Sequence, residues 1–181
     1  MFRPWRDDDL EQLIALCNAH DSAIDPEFED SSAEEIREEL NGFYDEVMAQ
    51  VYEEEGVITD LVTAQVDKKR ERVEIDVFGL PEKHDYARSF DLAMSWANEH
   101  YARFEKRAMC NSRDTELRSA IEALGFLLVR RYWTMRNHEP NKSFPKLPKG
   151  VEIRQADFDS ERAIWHRLLM DSFSGHYGFK P

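Results

Sequence analysis

The spacing of apolar residues in the first part of the chain predicts a short strand and then two helices. Residues 2–6 form an extended stretch, and apolar residues then recur every three or four positions over 10–17, which predicts the first helix. Ser32 and Glu35 have the spacing of a capping box, in which each residue satisfies a backbone N–H of the other. They predict a second helix over 32–40.

From Val47 onward the apolar period falls to two, which is the period of a half-buried strand. Three strands of a meander are predicted, at 47–52, 57–66 and 73–77. A long helix then follows over 85–104, because its apolar residues return to helical spacing. The remaining predicted elements are a strand at 107–110, a helix that ends at Gly125 and a final strand at 126–136.

This order of elements predicts an α/β (α+β) fold, in which helices flank a mixed, mostly antiparallel sheet. Strands of the meander pair as antiparallel hairpins, whereas the later strand–helix–strand unit requires a parallel crossover. The stretch EPNKSFPKLPKG at 139–150 contains three prolines and little periodicity. It predicts a linker between residues 1–138 and 151–181.

Residues 151–181 repeat the opening of the chain and predict a C-terminal strand–helix extension. At an offset of 151 positions, Arg3 aligns with Arg154 and Asp8 with Asp159. We interpret the extension as the start of a second, incomplete unit. Chance similarity is the alternative, since many strand–cap–helix openings look alike.

The composition is that of a globular protein of 181 residues, with 41% hydrophobic and 34% charged residues. No apolar run approaches the ~20 residues that span a bilayer, and the acidic N-terminal region is not a signal peptide. Two cysteines do not make a disulfide framework. The six histidines form no HxxxH or HExxH pair, so no metal is expected. A cytoplasmic location is the expectation.

The net charge of −13 is concentrated in the first third of the chain. Residues 1–60 hold 19 of the 37 acidic residues but 3 of the 24 basic residues. An acidic surface repels phosphate backbones, which argues against a nucleic acid partner. It attracts a cationic ligand such as an amine, although a solvated acidic surface explains the same charge without any ligand.

The order of elements, with three local segments, resembles the GNAT superfamily of acyl-CoA-dependent N-acetyltransferases. The segments are FRPWRDDDLEQLIALCNA at the start of the chain, VEIDVFGLPEKHDYARSFDLAMSWA in the middle, and NSRDTELRSAIEALGF after it. The resemblance covers about residues 1–137. With the linker and the repeated opening, the layout is similar to tandem-domain members of the superfamily, of which mycothiol synthase is the type.

The resemblance implies that acetyl-CoA is a substrate and that the turn before the long helix holds its pyrophosphate. Small residues there let backbone N–H groups approach phosphate oxygens. The implied ligand-binding residues are Phe78, Gly79 and Leu80 on the strand, Lys83, His84, Ala87, Arg88 and Ser89 at the turn, and Asn111 after the next strand. A turn that opens a helix needs no ligand, however, and Asn111 with Ser112 also suits a helix cap.

The implied reaction is transfer of an acetyl group to an amine, which needs a base because amines are protonated at neutral pH. Glu74 and Asp76 share one face of the central strand and are the candidate bases, although a solvent-facing edge is the simpler explanation for such a pair. The family's usual tyrosine acid corresponds to Ile121 here, which cannot donate a proton. A catalytically inactive scaffold or partner-binding module is therefore the alternative function.

The C-terminal segment generates a prediction about assembly. Its helical spacing places Ile164, Trp165, Leu168, Leu169 and Phe173 on one face, and burial of each such side chain is worth about 1.5–3 kcal/mol. We expect this face to be packed, in a homodimer that the segment helps to form. Truncation after Lys149 should then shift the protein toward monomer in light scattering. An unchanged mass and melting temperature would contradict this expectation.

Overall fold

The computed structural model describes residues 1–41, 44–133 and 146–175. The chain divides into two units, Met1–Val129 and Arg130–Pro181. In the first unit the helices and strands follow the order expected from the sequence up to the last helix. Their bounds are β1 Phe2–Pro4, α1 Leu10–Ile24, α2 Ala33–Asn41, β2 Glu46–Glu54, β3 Val57–Asp67, β4 Arg72–Gly79, α3 Tyr86–Tyr101, β5 Glu105–Ala108 and α4 Thr115–Ala123.

The strands form one sheet in the order β1-β2-β3-β4-β5. The first three pairings are antiparallel, and β4 pairs with β5 in parallel because α3 crosses back over the sheet between them. The mixed, mostly antiparallel sheet with flanking helices is therefore confirmed. The capping box is confirmed as well, since Ser32 N–H donates to Glu35 and Glu35 N–H donates to the Ser32 hydroxyl.

Each face of the sheet carries its own apolar core, because side chains alternate between the faces of a strand. On one face, Val73, Ile75 and Val77 of β4 pack with α3 and α4. On the other face, α1 and α2 pack over β2 and β3, and Phe78 and Leu80 join that cluster. Helices from opposite sides can therefore meet only at an edge or an end of the sheet.

Two expected strands differ in the structure. The strand expected at 107–110 is β5 at Glu105–Ala108, two residues earlier. The expected strand 126–136 is wrong over its described part, since residues 126–133 adopt no regular structure, and 134–136 lie outside the described residues. The apolar side chains at 127–129 are exposed there. Local alternation favours an extended backbone, but a strand also needs a partner edge for its N–H and C=O groups.

In the second unit, α5 spans Phe158–Phe173 and begins at an Asp157 cap, whose carboxylate accepts from Ser160 N–H. The helix agrees with the spacing of its apolar residues, but the strand expected at 151–154 does not form. Trp165 and Leu168 are 48% and 58% exposed, so packing of this face remains a prediction. In the part of the chain that the structure describes, no helix has the length and apolar character needed to cross a membrane.

Candidate functional site

The pairing of β4 with β5 stops before β4 ends. Their pairing runs from Arg72 and Glu105 to Ile75 and Ala108, and β4 then continues to Gly79. We call the space beside β4 beyond Ile75 the β4–β5 gap. A strand bordering such a gap presents backbone N–H and C=O groups that have lost their sheet partner.

Val77 and Gly79 are the residues of β4 beyond Ile75 whose backbone N–H and C=O groups face the β4–β5 gap. The next residue, Leu80, donates its N–H to Thr59 of β3 at 2.8 Å. Backbone N–H and C=O groups point to alternate sides along a strand, so those of Gly79 point away from β3. This assignment separates the expected strand residues: Gly79 borders the gap, whereas Phe78 packs into the core beneath α1.

A buried histidine from α1 occupies the edge of β4 at Gly79. His20 Nδ1 lies 3.3 Å from both the N and the O of Gly79, and 3.3 Å from the Tyr86 hydroxyl. Burial lowers the pKa of His20, so the ring is neutral and Nδ1 can accept the Gly79 N–H. His20 comes from one face of the sheet and Tyr86 from the other, and they meet in the gap.

Tyr86 is held in the gap from the far side by α4. Its hydroxyl lies 3.2 Å from Asp114 Oδ2, while Asp114 Oδ1 accepts Leu117 N–H and so caps α4. Burial, followed by the charge of Asp114, raises the pKa of Tyr86. The phenol therefore keeps its proton and donates a hydrogen bond to the Asp114 carboxylate.

The turn that opens α3 is organised by two carboxylates. Asp85 accepts Arg88 N–H at 3.0 Å, and Asp60 of β3 accepts Asp85 N–H at 3.0 Å. Asp60 is fully buried and also accepts from Thr59, Ser89 and the Arg88 guanidinium. The guanidinium lies over the Tyr52 ring, 3.4 Å from its centre, which fixes it further.

The structure thus gives the residues that were expected to bind acetyl-CoA different surroundings. Lys83 and Ala87 are exposed at the turn, whereas Ser89 is buried against Asp60. His84 lies 3.1 Å from the Leu80 carbonyl and 3.0 Å from Glu116, and Arg88 is paired with Asp60. Asn111 accepts Arg113 N–H.

The helix cap that the sequence suggested at Asn111 and Ser112 is wrong. Asp114 caps α4. Asn111 shapes only the turn that leads to it.

The two candidate bases, Glu74 and Asp76, lie on the face of β4 that is covered by α1 and α2. Burial, then the negative charges of Glu39 and Glu74, raises the pKa of Asp76 to about 7. Asp76 is the first residue of β4 beyond the last β4–β5 pair, and its side chain is half-buried.

A polar row continues from Asp76 across the sheet. Its neighbour on β3 is Thr63, which is fully buried and whose hydroxyl has no hydrogen-bond partner among the described residues. Two residues further along each strand, on the same face, Glu74 pairs with Gln65. The side-chain amide of Gln65 donates a hydrogen bond to Glu39 at 2.8 Å. The row combines three carboxylates with an available hydroxyl, which suits a cationic ligand with a polar N–H or O–H group.

Sequence reasoning missed several residues that shape this site, notably Asp60, Thr63 and His20. Asp60 and Thr63 interrupt the apolar run VITDLVTAQV of β3. A charged residue inside a strand that is otherwise apolar signals a buried network, because an isolated charge could not be buried there. His20 carries no such signal, since its partners come from distant parts of the chain.

Comparisons with solved structures identify the fold, whereas comparisons of the sequence find no match. No protein-family model matches the sequence, and no curated protein matches it significantly. Among solved structures, AAC(6')-Iy in complex with the bisubstrate analogue CoA-S-monomethyl-acetylneamine is similar at a TM-score of 0.53 and 18% identity, over 76% of this chain and 97% of that chain.

Two further structures extend the likeness. An N-acetyltransferase from Staphylococcus aureus Mu50 gives a TM-score of 0.52 at 15% identity, over 70% of this chain and 82% of that chain. The aminoglycoside 6'-N-acetyltransferase AAC(6')-IG from Acinetobacter haemolyticus gives 0.52 at 12% identity, over 77% and 99%. These likenesses show that the chain has the fold of the GNAT N-acetyltransferases.

The network at the α3 turn predicts a large loss of stability for Asp60→Ala. This change leaves the buried end of Arg88, a backbone N–H and two hydroxyls without their acceptor, so the free energy of unfolding should fall by about 3 kcal/mol or more. Urea denaturation measures the loss. Asp91→Ala, on the exposed surface of α3, is the control and should change stability by less than about 0.5 kcal/mol. A loss below about 1 kcal/mol for Asp60→Ala would contradict the network.

The raised pKa of Asp76 predicts a pH-dependent gain of stability for Asp76→Asn. The folded pKa of about 7 exceeds the ordinary value of 3.8, so the folded protein holds this proton more tightly than the unfolded chain. That stabilisation is complete below about pH 4 and is lost as the pH rises through 7. Asparagine does not ionise, so the variant should be more stable than the wild type by up to about 4 kcal/mol at pH 8, at about 1.36 kcal/mol per pKa unit between 3.8 and 7, and about equally stable near pH 4. Denaturation at both pH values measures this, and a constant difference would refute the assignment.

Proposed function

We propose that this protein is an acyl-CoA-dependent N-acetyltransferase that transfers an acetyl group from acetyl-CoA to an amine. The fold supports acetyl transfer in general. The observation that carries the proposal for this chain is Asp76, a half-buried carboxyl whose pKa is raised to about 7 and whose residue is the first of β4 beyond its pairing with β5. A base with a pKa near the working pH is the most effective at removing a proton from an amine.

The acyl donor supplies an activated thioester, and the chain prepares the amine that attacks it. Asp76 in its ionised form accepts one proton from the ammonium group, which releases the nitrogen lone pair. The nitrogen then forms a bond to the thioester carbonyl carbon, the carbon–sulfur bond breaks, and the thiolate leaves with the electron pair of that bond. The nitrogen loses its second proton to the leaving thiolate or to water, which gives the neutral amide. Because a thiol has a pKa near 8.5, its thiolate is a competent leaving group without a positioned acid. This matters here, since Ile121 is buried in the core.

The polar row supports a primary amine that is cationic in solution as the acceptor. Glu39 and Glu74 lie close enough to Asp76 to raise its pKa, and the same two charges attract an ammonium group. The Thr63 hydroxyl is available to the acceptor's polar groups. No metal takes part in this proposal, because the base and the thioester supply all of the chemistry.

The turn at α3 does not fit the pyrophosphate of the donor. Two of its backbone N–H groups already donate to the carboxylates of Asp60 and Asp85. A bound phosphate would also meet the negative charge of Asp85. No step of the proposed reaction therefore depends on this turn, and the donor is placed by its acyl end at the gap.

The poor fit of the α3 turn to a pyrophosphate favours a second candidate. This candidate is a catalytically inactive GNAT-fold module that serves as a scaffold or binds a partner. Folds persist after their sites have changed, so the fold does not decide between the two candidates. Within either candidate, the linker and α5 support a tandem arrangement of two such units, of which residues 1–138 are the first.

Acetyl transfer can be measured as thiol release from acetyl-CoA with a panel of primary amines. We expect kcat/KM to rise with pH through about 7, because Asp76 acts only after it has lost its proton. Asp76→Asn should lower kcat/KM about 100-fold, which is the usual contribution of a general base. Calorimetric titration with acetyl-CoA measures donor binding separately.

Glu74→Gln is the matched control, because it removes the neighbouring carboxylate on the same face of β4. It should change kcat/KM by less than about tenfold and lower the apparent pKa of the pH profile, since one of the charges that raises the Asp76 pKa is gone. Equal losses in the two variants would reject Asp76 as the base. Absence of both donor binding and thiol release would favour the inactive module.

A further inference from the structure

We infer that the amine accepted by this protein is an arylalkylamine, whose aromatic ring occupies a pocket beside the first half of β2, on the face of the sheet that α1 and α2 cover. We call this cavity of about 430 Å³ the β2 pocket. The described residues that line it include Pro4, Trp5, Leu40, Tyr44, Val47 and Ala49. The inference rests on the proposed function, since it names the class of amine that the candidate base deprotonates.

The β2 pocket exists because β1 is shorter than the strand it pairs with. The pairing of the two strands ends where Pro4 lies opposite Gln50, whereas β2 begins four residues earlier, at Glu46. Residues 46–49 therefore lie beside no residue of β1. Val47 and Ala49 are half-buried there and share one face of the strand, so they form the floor of the pocket.

The floor of the pocket continues into the polar row that contains the candidate base. Ala49 pairs with Thr63 of β3, and Thr63 pairs with Asp76 of β4, so the three side chains lie on one face of the sheet. Neighbouring strands are about 4.8 Å apart, which places Asp76 about 10 Å from Ala49 across the sheet. A ligand of moderate length therefore reaches both the pocket and the base.

Tyr44 connects the pocket to the row. It lines the β2 pocket and is half-buried. Burial, followed by the charges of Glu74 and Asp76, raises the pKa of its phenol, so the phenol keeps its proton and lies within electrostatic reach of both carboxylates. The ring of Tyr44 is thus shared between the apolar and the charged parts of the site.

The Thr63 hydroxyl is an independent sign of a ligand. It is fully buried and has no hydrogen-bond partner among the residues that the structure describes. A buried hydroxyl without a partner costs stability, so a ligand that supplies the partner recovers that cost. Its place in the row, between Ala49 and Asp76, is where an ammonium group donates to the hydroxyl and to the carboxylate together.

The lining of the pocket selects the other end of the ligand. It contains no Lys, Arg or His among the described residues, so an anion finds no counter-charge there. Two lining carboxylates are engaged elsewhere, since Asp45 accepts Lys68 N–H and Glu46 accepts the Tyr101 hydroxyl. The rings of the lining then favour an aromatic group.

The distance across the sheet sets the length of the ligand. With the nitrogen at Asp76 and the ring over Ala49, the connecting chain has about four to six methylene groups. Shorter arylalkylamines reach either the pocket or the row, but not both.

A series of ω-phenylalkylamines tests the inference by calorimetry on the full chain at pH 8, without acyl donor. The Kd should fall about tenfold between two and five methylene groups, because only the longer chain lets the ring enter the pocket while the nitrogen stays at the row. Pentylamine, which lacks the ring, should bind about tenfold more weakly than 5-phenylpentylamine. 5-Phenylpentanoate, with a carboxylate in place of the amine, should not bind.

Two tryptophan variants locate the ring. Trp5→Leu removes an aromatic group from the pocket and should raise the Kd for 5-phenylpentylamine about fivefold, while the Kd for pentylamine stays within about twofold. Trp96→Leu is the matched control, because Trp96 is also half-buried but packs against the core on the other face of the sheet. It should leave both affinities unchanged. If Trp5→Leu does not fold, Ala49→Leu carries the test, since it fills the floor of the pocket.

Thr63→Val tests the other end of the ligand. It should weaken both amines about threefold, because the hydroxyl that accepts from the ammonium group is gone. The same variant should raise the melting temperature of the free protein, since it removes a buried hydroxyl that has no partner. A lower melting temperature with unchanged amine affinity would show that the hydroxyl serves the fold and would overturn its role in binding.

The outcomes separate this inference from the proposed function. Binding that depends on the ring and on chain length, and that Trp5→Leu weakens, supports the inference. The same binding without thiol release from acetyl-CoA overturns the proposed function alone. Equal affinity across the series, or equal losses in Trp5→Leu and Trp96→Leu, overturns the inference and leaves acetyl transfer intact. Absence of both amine binding and thiol release overturns both.

Discussion

The unequal lengths of two neighbouring strands determine most of what is distinctive in this protein. β4 runs on past the end of its pairing with β5, and the backbone groups of its last residues need other partners. In this chain the partner at Gly79 is a side chain, His20. The contact brings α1 to the same point as α3 and α4, although these helices cover opposite faces of the sheet.

Carboxylates have two contrasting roles on either side of this point. Asp60 is fully buried but compensated, because a guanidinium, two hydroxyls and a backbone N–H surround it, and it stabilises the turn into α3. Asp76 is half-buried beside further negative charge, and desolvation together with that charge raises its pKa to about 7. The difference lies in the neighbours, since a cation and hydrogen-bond donors surround Asp60 whereas negative charges lie beside Asp76.

The fold and the internal hydrogen bonds of the α3 turn and of Gly79 both affect how the chain could bind a ligand. The sheet and the crossover give the chain the fold of the GNAT N-acetyltransferases, while the backbone N–H groups of the α3 turn and of Gly79 are satisfied by groups of the chain itself. A site whose hydrogen bonds are internally satisfied binds a ligand only by exchange, so its affinity is set by what must be displaced.

The sequence by itself determined the elements up to α4, their mixed sheet and the pair of carboxylates on β4, because periodicity, capping residues and crossover handedness are local properties. It predicted a strand at 126–136 that the described residues do not form, since pairing depends on an available edge as well as on alternation. Only the tertiary structure decided that Asp76, of the two carboxylates on β4, has its pKa raised to about 7, that Asp60 holds the turn and that His20 contacts Gly79. These assignments depend on burial and on contacts between residues up to 59 positions apart, and no local pattern encodes them.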